Sequence, residues 1–314
     1  MSQKYTAAAA AFVLAGAIAA SAMAQGTIRG TSCKVFPSDN AWNQRVDSLP
    51  VAGNSAQLVQ SIGRDDNAHA DFGSGRWDGG PIGIPYVVVS ARTKKRKVNF
   101  QYADESDRVR YPIPKNPPIE GGRKGRGDRH IIMVDRSHCR LYELYAAYPK
   151  KGSKDWRAGS GAVWSLKSNK LRPAGWTSAD AAGLPIFPGL ARYDEVARGA
   201  INHALRFTAP RTRDAYVYPA RHRAGAGDDA DLPPMGLRLR LKSSVDIADF
   251  PPQSRVVLTA LRSYGMLLAD NGSPWYVSGA PDSRWDNDDL HSLHRLSGRD
   301  FEVVDTSSLP QPGK

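Results

Sequence analysis

Glu143, Asp180, Asp270 and His222 are the side chains whose types and settings best suit acid–base chemistry in this chain. Glu143 lies in an alternating run, sharing one face with Leu141 and Tyr145 while Arg140 and Tyr142 take the other. A carboxyl held between apolar neighbours has a raised pKa and can donate a proton near neutral pH. The competing reading is a buried carboxylate neutralised by an arginine from an adjacent strand. Asp180 sits in a long loop that carries Trp176, and Asp270 closes an apolar run, so either could be the second member of a carboxylate pair. Such a pair hydrolyses a glycosidic bond, one group as acid and the other as base or nucleophile. Asp270-Asn271-Gly272-Ser273 reads equally well as a turn. His222, in the loop 219–223, is the freest imidazole for proton transfer. Asp128 and His130 add a further acid and base at the start of a strand.

Cations supply the candidate substrate contacts. Leu237, Leu239 and Leu241 alternate with Arg238, Arg240 and Lys242, so the three cations share a face and span about 13 Å. That spacing suits repeating anions on a polymer, or else a solvated or edge-protecting strand face. In the run 201–208, His203 falls with Leu205 and Phe207 as a core histidine, while Arg206 and Asn202 take the more polar face and are better ligand contacts. Trp176, like most of the tryptophans, sits beside polar residues where a ring could stack on a sugar. A lyase version of the chemistry uses His222 or Tyr142 as base and lets Arg206 and Arg238 neutralise the sugar's carboxylate.

The sequence has no His-Glu-x-x-His, Gly-x-Ser-x-Gly, phosphate-binding glycine loop or paired-cysteine metal motif, so neither a cofactor nor a metal is expected. The acidic run 282–289 lacks the spacing of a calcium loop and reads as well as a helix cap before Leu290.

The elements that must hold these groups are mostly strands. Short apolar runs punctuated by 29 Gly and 22 Pro predict strands at 86–90, 98–102, 130–135, 139–145, 162–166 and 201–208. Further strands are expected at 215–218, 236–242, 266–270, 275–279 and 301–304, with 130–135 and 139–145 forming a hairpin. Helices are expected at 55–62, 193–198, 252–264 and 290–296, and long loops at 104–129 and 169–190. This pattern predicts a mainly β fold: a single antiparallel β-sandwich or jelly roll with a few short peripheral helices.

Residues 1–24 have the grammar of a secretory signal peptide: Lys4, an apolar run over 7–22, and the small-x-small site Ala22-Met23-Ala24. Residues 25–314 would then form one β-rich domain without a transmembrane anchor, working in the periplasm or outside the cell, where ATP and NAD are not at hand. The only two cysteines, Cys33 and Cys139, are expected to pair there as a disulfide. The net charge of +12 suits an anionic envelope or glycan, or simply solubility. Together these features favour an exported glycoside hydrolase acting on a polysaccharide, an acidic one included. A polysaccharide lyase and a non-catalytic anionic-glycan-binding or envelope protein are the alternatives.

Overall fold

The structure, a computed structural model, describes residues 26–314; the signal-peptide reading lies outside the described residues. In chain order the elements are α1 (Ser55–Gly63), β1 (His69–Asp71), β2 (Arg76–Trp77), β3 (Gly80–Pro81), β4 (Tyr86–Val89) and β5 (Val98–Phe100). They continue with β6 (Ile131–Asp135), β7 (Arg140–Leu144), β8 (Tyr148–Pro149), β9 (Trp156–Ala158), β10 (Gly161–Ser165) and α2 (Tyr193–Val196). The last are β11 (Leu205–Ala209), β12 (Arg238–Leu241), α3 (Pro252–Ser263), β13 (Met266–Asn271), β14 (Tyr276–Ser278), α4 (Asn287–His291) and β15 (Phe301–Val303).

Most of the expected strands form, but they belong to several sheets. A six-stranded sheet runs β1-β14-β11-β13-β12-β15, a four-stranded one β10-β7-β6-β4, a three-stranded one β5-β9-β8, and β2-β3 form a hairpin. The expected purely antiparallel pairing is corrected, because β1 with β14, β11 with β13, β4 with β6 and β5 with β9 are parallel. Parallel neighbours need a long crossover. The expected loop 104–129 is part of one, between β4 and β6. The expected strand 215–218 makes only a bridge, Tyr216 to Met235.

The four-stranded sheet is buried on both faces, which explains why β6 is a continuous apolar run. Ile132, Val134 and Leu141 point into the main core with Leu205, Phe207 and Leu239. Ile131, Met133, Tyr142 and Leu144 point into a second core with Tyr111, Ile113 and Trp156. Glu143 therefore falls on the main-core face, opposite Ile132.

The helices are short, and acids cap α3 and α4. Asp286 accepts from the Asp288 and Asp289 amides at the start of α4. Asp289 in turn accepts from the Gln253 and Ser254 amides in the first turn of α3. The acidic run thus serves as caps, placing negative charge where the helix amides are unpaired. Among the described residues, no helix is long and apolar enough to cross a membrane.

Cys33 and Cys139 form a disulfide across 106 residues of sequence, tying the N-terminal segment to the start of β7. Closing a loop of that size restricts the unfolded chain strongly. Replacing both cysteines by serine is expected to lower unfolding free energy by about 2–5 kcal/mol. Urea denaturation of the two proteins, followed by tryptophan fluorescence, measures it.

Candidate functional site

Arg206 is the anchor of the site. It lies on β11, is buried, and is paired bidentately with Asp180: Nε donates to Oδ2 at 3.2 Å and Nη2 to Oδ1 at 2.8 Å. Nη1 donates to Ser278 Oγ on β14 at 2.6 Å, and Nη2 lies 3.8 Å from Asp270 Oδ2 on β13. The three strands are neighbours in the six-stranded sheet, so the sheet itself sets this geometry. The register of β11 and β13 shifts between Phe207 and Thr208, leaving Ala269 unpaired before Thr208 meets Asp270. Bulges of this kind re-aim the side chains beyond them. The freed Ala269 carbonyl accepts from the Ala182 amide, which docks the Asp180 loop onto the bulge. The Ala182 carbonyl then accepts from the amides of Arg221 and His222, drawing in the third segment.

A cavity of about 410 Å³ opens beside this cluster, lined by Asp180, Asp270, His222, Glu105, Asp128 and Tyr145 among others. The two long loops of the sequence form much of its wall. Arg172 laces them, donating to the Glu105 carbonyl, the Asp107 carboxylate and the Thr177 carbonyl at 2.6–2.8 Å. Glu105 Oε2 accepts from the Thr177 amide at 2.9 Å and lies 3.8 Å from His222 Nε2. His222 Nδ1 is 2.8 Å from the Ala181 carbonyl. A carbonyl only accepts, so Nδ1 carries a proton and Nε2 is the nitrogen turned toward Glu105.

Electrostatics separate the two aspartates. Burial raises the pKa of Asp270, the negative charge of Asp180 raises it further, and Arg206 only partly offsets them, leaving it at about 7. The Arg206 guanidinium is held in its charged form, because burial is outweighed by Asp180 and Asp270. Asp180 is the direct partner of the buried Arg206 cation, while Asp270 is a carboxyl that titrates at about 7.

A second pair braces the wall. His130 Nδ1 is 2.6 Å from Glu120 Oε2, and Nε2 is 2.8 Å from the Ala179 carbonyl. Both neighbours are acceptors, so both ring nitrogens donate and the imidazole is cationic. Burial opposes that charge, but Glu120 overcomes it and the pKa rises to about 9. Glu120 is pulled below its usual value by the same contact, against its own burial. Glu120, Asp128 and His130 present three ligand-type atoms within 4.8 Å of one another. With neither His130 nitrogen offering a lone pair, that group is an ion-paired bracket.

Glu143 stands apart from the cavity. Its carboxylate is fully buried and accepts from the amides of Ile186 and Phe187 at 2.9–3.1 Å, at the start of the 3-10 turn Phe187–Gly189. Burial pushes its pKa up to about 7 although those amides favour the charged form. Gly189 ends the turn where a Cβ would come within 2.6 Å of the Trp42 ring and 2.9 Å of Arg206 Cβ. Glu143 is thus a cap for a tightly packed turn, and the arginine that would neutralise it is replaced by backbone amides.

The basic stripe is also spent internally. Arg238 is buried and donates to the carbonyls of Ala41, Gln44 and Tyr264. Burial lowers its pKa to about 9. Arg240 pairs with Glu302 on β15 and donates to the Val46 and Leu49 carbonyls, and Lys242 Nζ donates to the Arg299 carbonyl. Arg238 and Arg240 clamp the segment 41–49 to the sheet. Asn202 precedes β11 and is not among the cavity's lining residues, nor is Trp176, whose ring faces the Arg172 guanidinium at 5.6 Å. His203 is a core histidine, bonded to the Ala204 carbonyl and to Glu195 of the Arg192–Glu195 pair.

The cavity therefore unites Asp180, Asp270 and His222 over Arg206, and excludes Glu143 and the stripe. Sequence reasoning missed Glu105 and Glu120, which sit in irregular segments with no periodic signal. Comparison of the chain with protein-family models, curated proteins and solved structures found no match.

Two outcomes are expected. Asp180→Asn leaves the Arg206 charge buried with a poor partner and should cost about 3–5 kcal/mol in chemical denaturation. The His130–Glu120 contact raises the folded-state pKa of His130, so its contribution is full below pH 6.5 and lost as pH rises through about 9. The stability difference between the parent and His130→Gln, measured by denaturation at a series of pH values, should shrink across that window.

Proposed function

We propose that this chain is an exported glycan hydrolase whose reaction centre is the cavity above Arg206. The observation that carries the reading is the meeting of two complementary proton carriers in one cavity. Asp270 is a carboxyl whose raised pKa of about 7 lets it carry a proton up to neutrality, and His222 is anchored through Nδ1 so that Nε2 is the nitrogen left for proton transfer. In the reaction Asp270 gives its proton to the glycosidic oxygen as the bond to the anomeric carbon breaks. His222 Nε2 accepts a proton from the attacking water, and the hydroxyl oxygen bonds that carbon. Glu105, 3.8 Å from Nε2, stabilises the imidazolium that forms. Asp180 does not touch the substrate; it holds Arg206 and keeps Asp270 protonated.

The same electrostatics favour hydrolysis over elimination. A lyase needs a free cation to neutralise a uronic acid, yet Arg206 is spent on Asp180 and Ser278. Arg206 is neutralised by Asp180, and Glu105 and Asp128 add acidic groups to the cavity wall that disfavour an anionic sugar. A neutral or amino-bearing glycan fits better than an acidic one. Export rests on the signal-like residues 1–24 and agrees with the disulfide.

Incubation of the mature protein with neutral, amino and acidic polysaccharides should release reducing ends from one of the first two classes, without the ultraviolet absorbance of an unsaturated product. The rate should fall as pH rises through about 7, where Asp270 loses its proton. Asp270→Asn and His222→Gln should each lower kcat by about 10²–10⁴-fold. Their circular dichroism should match the parent. Cleavage that survives Asp270→Asn, or binding without any cleavage, would overturn the assignment.

A further inference from the structure

A second concavity, about 770 Å³ in volume, lies on the other side of the wall formed by residues 120–128. Its lining includes His69, His291 and His294, three of the seven histidines in the chain. His69 lies on β1, His291 ends α4, and His294 follows in the 3-10 turn Ser292–Arg295. His69 Nδ1 and His294 Nε2 are 2.6 Å apart, though 225 residues separate them in sequence. The His291 and His294 rings lie 4.3 Å apart, tilted by 50°, as neighbours three residues apart on consecutive helical turns. Tyr276 stacks on the other side of His69 at 4.3 Å, fixing that ring.

From this arrangement we propose that His69, His294 and His291 form a binding site for a divalent transition metal ion such as zinc, copper or nickel. Imidazole nitrogens are the preferred ligands of these ions. Two nitrogens at about 2.0–2.1 Å from a tetrahedral ion stand roughly 3.3 Å apart, so the 2.6 Å pair needs to open by less than an ångström. One proton now bridges the two nitrogens. On metal binding it moves to the far nitrogen of its own ring, so no net proton need be released. His291 is exposed, lines the same concavity and lies against His294, so it is the third imidazole at hand. All three histidines line the 770 Å³ concavity, which is where water or a further ligand would reach the ion.

This site is independent of the cavity above Arg206. The test uses the mature protein with its disulfide intact, treated with chelator, dialysed, and titrated with zinc chloride in a non-coordinating buffer by calorimetry. One ion per chain is expected. His69→Ala and His294→Ala should each weaken binding at least tenfold, while His138→Ala and His222→Ala should leave it unchanged. X-ray absorption at the zinc edge of the unsubstituted protein should count two or three imidazole nitrogens, a reading that does not depend on any variant folding. Absence of saturable binding, an oxygen-only ligand shell, or loss of binding in His222→Ala with retention in His69→Ala and His294→Ala would overturn the proposal.

Discussion

A guanidinium cannot shed its proton in a protein interior, so burying Arg206 on β11 obliges the fold to bring an anion to it. Asp180 meets that demand from a loop, Ser278 from β14, and Asp270 from the bulged end of β13. Each answer fixes one piece of the surroundings. The Asp180 loop is drawn across the sheet, where Ala182 takes the bulge carbonyl and receives the His222 segment. The cavity is what remains between these pieces.

The same charge divides the acids into two kinds. Asp180 is closest to Arg206 and holds its negative charge; Asp270 is farther away, half-buried and close to that charge, so it keeps its proton. Beside them, His130 and Glu120 form a second buried pair that props the wall through the Ala179 carbonyl. A chain carrying a net charge of +12 thus encloses an acidic cavity. The excess cations are accounted for elsewhere, several of them bonded to backbone carbonyls, as with Arg129, Arg172 and Arg238. Net charge describes the whole surface and says little about a site.

Residues 120–128 separate two concavities of different chemistry. Glu120 and the neighbouring glycines face the histidine side, and Asp128 faces the carboxylate side. Arg129 secures this segment from behind, donating to the carbonyls of Gly122, Arg123 and Gly125. A glycine-rich stretch is thus held in shape by the buried Arg129 together with the His130–Glu120 pair.

Much of the local structure was legible in the sequence. Alternation and apolar runs located β4, β6, β7, β11, β12 and β13, and helical spacing after two prolines located α3, because these elements bury a face dictated by their own spacing. The cysteine pair was legible for the same kind of reason, since two cysteines with no third to compete leave one pairing. Asp180, Asp270, His222 and Arg206 could be named as candidates, but not Glu105 or Glu120, whose segments have no period. Which candidates meet was decided by the tertiary structure alone. Glu143 looked like an acid because alternation shows that a side chain is buried but not what it is buried against, and backbone amides from Ile186 and Phe187 arrived there. Arg238 looked like a ligand contact for the same reason, until carbonyls from 41–44 and Tyr264 enclosed it. Parallel pairing, the β13 bulge and the meeting of His69 with His294 join residues far apart in the chain. Such contacts follow from how the sheets stack, and no local pattern encodes them.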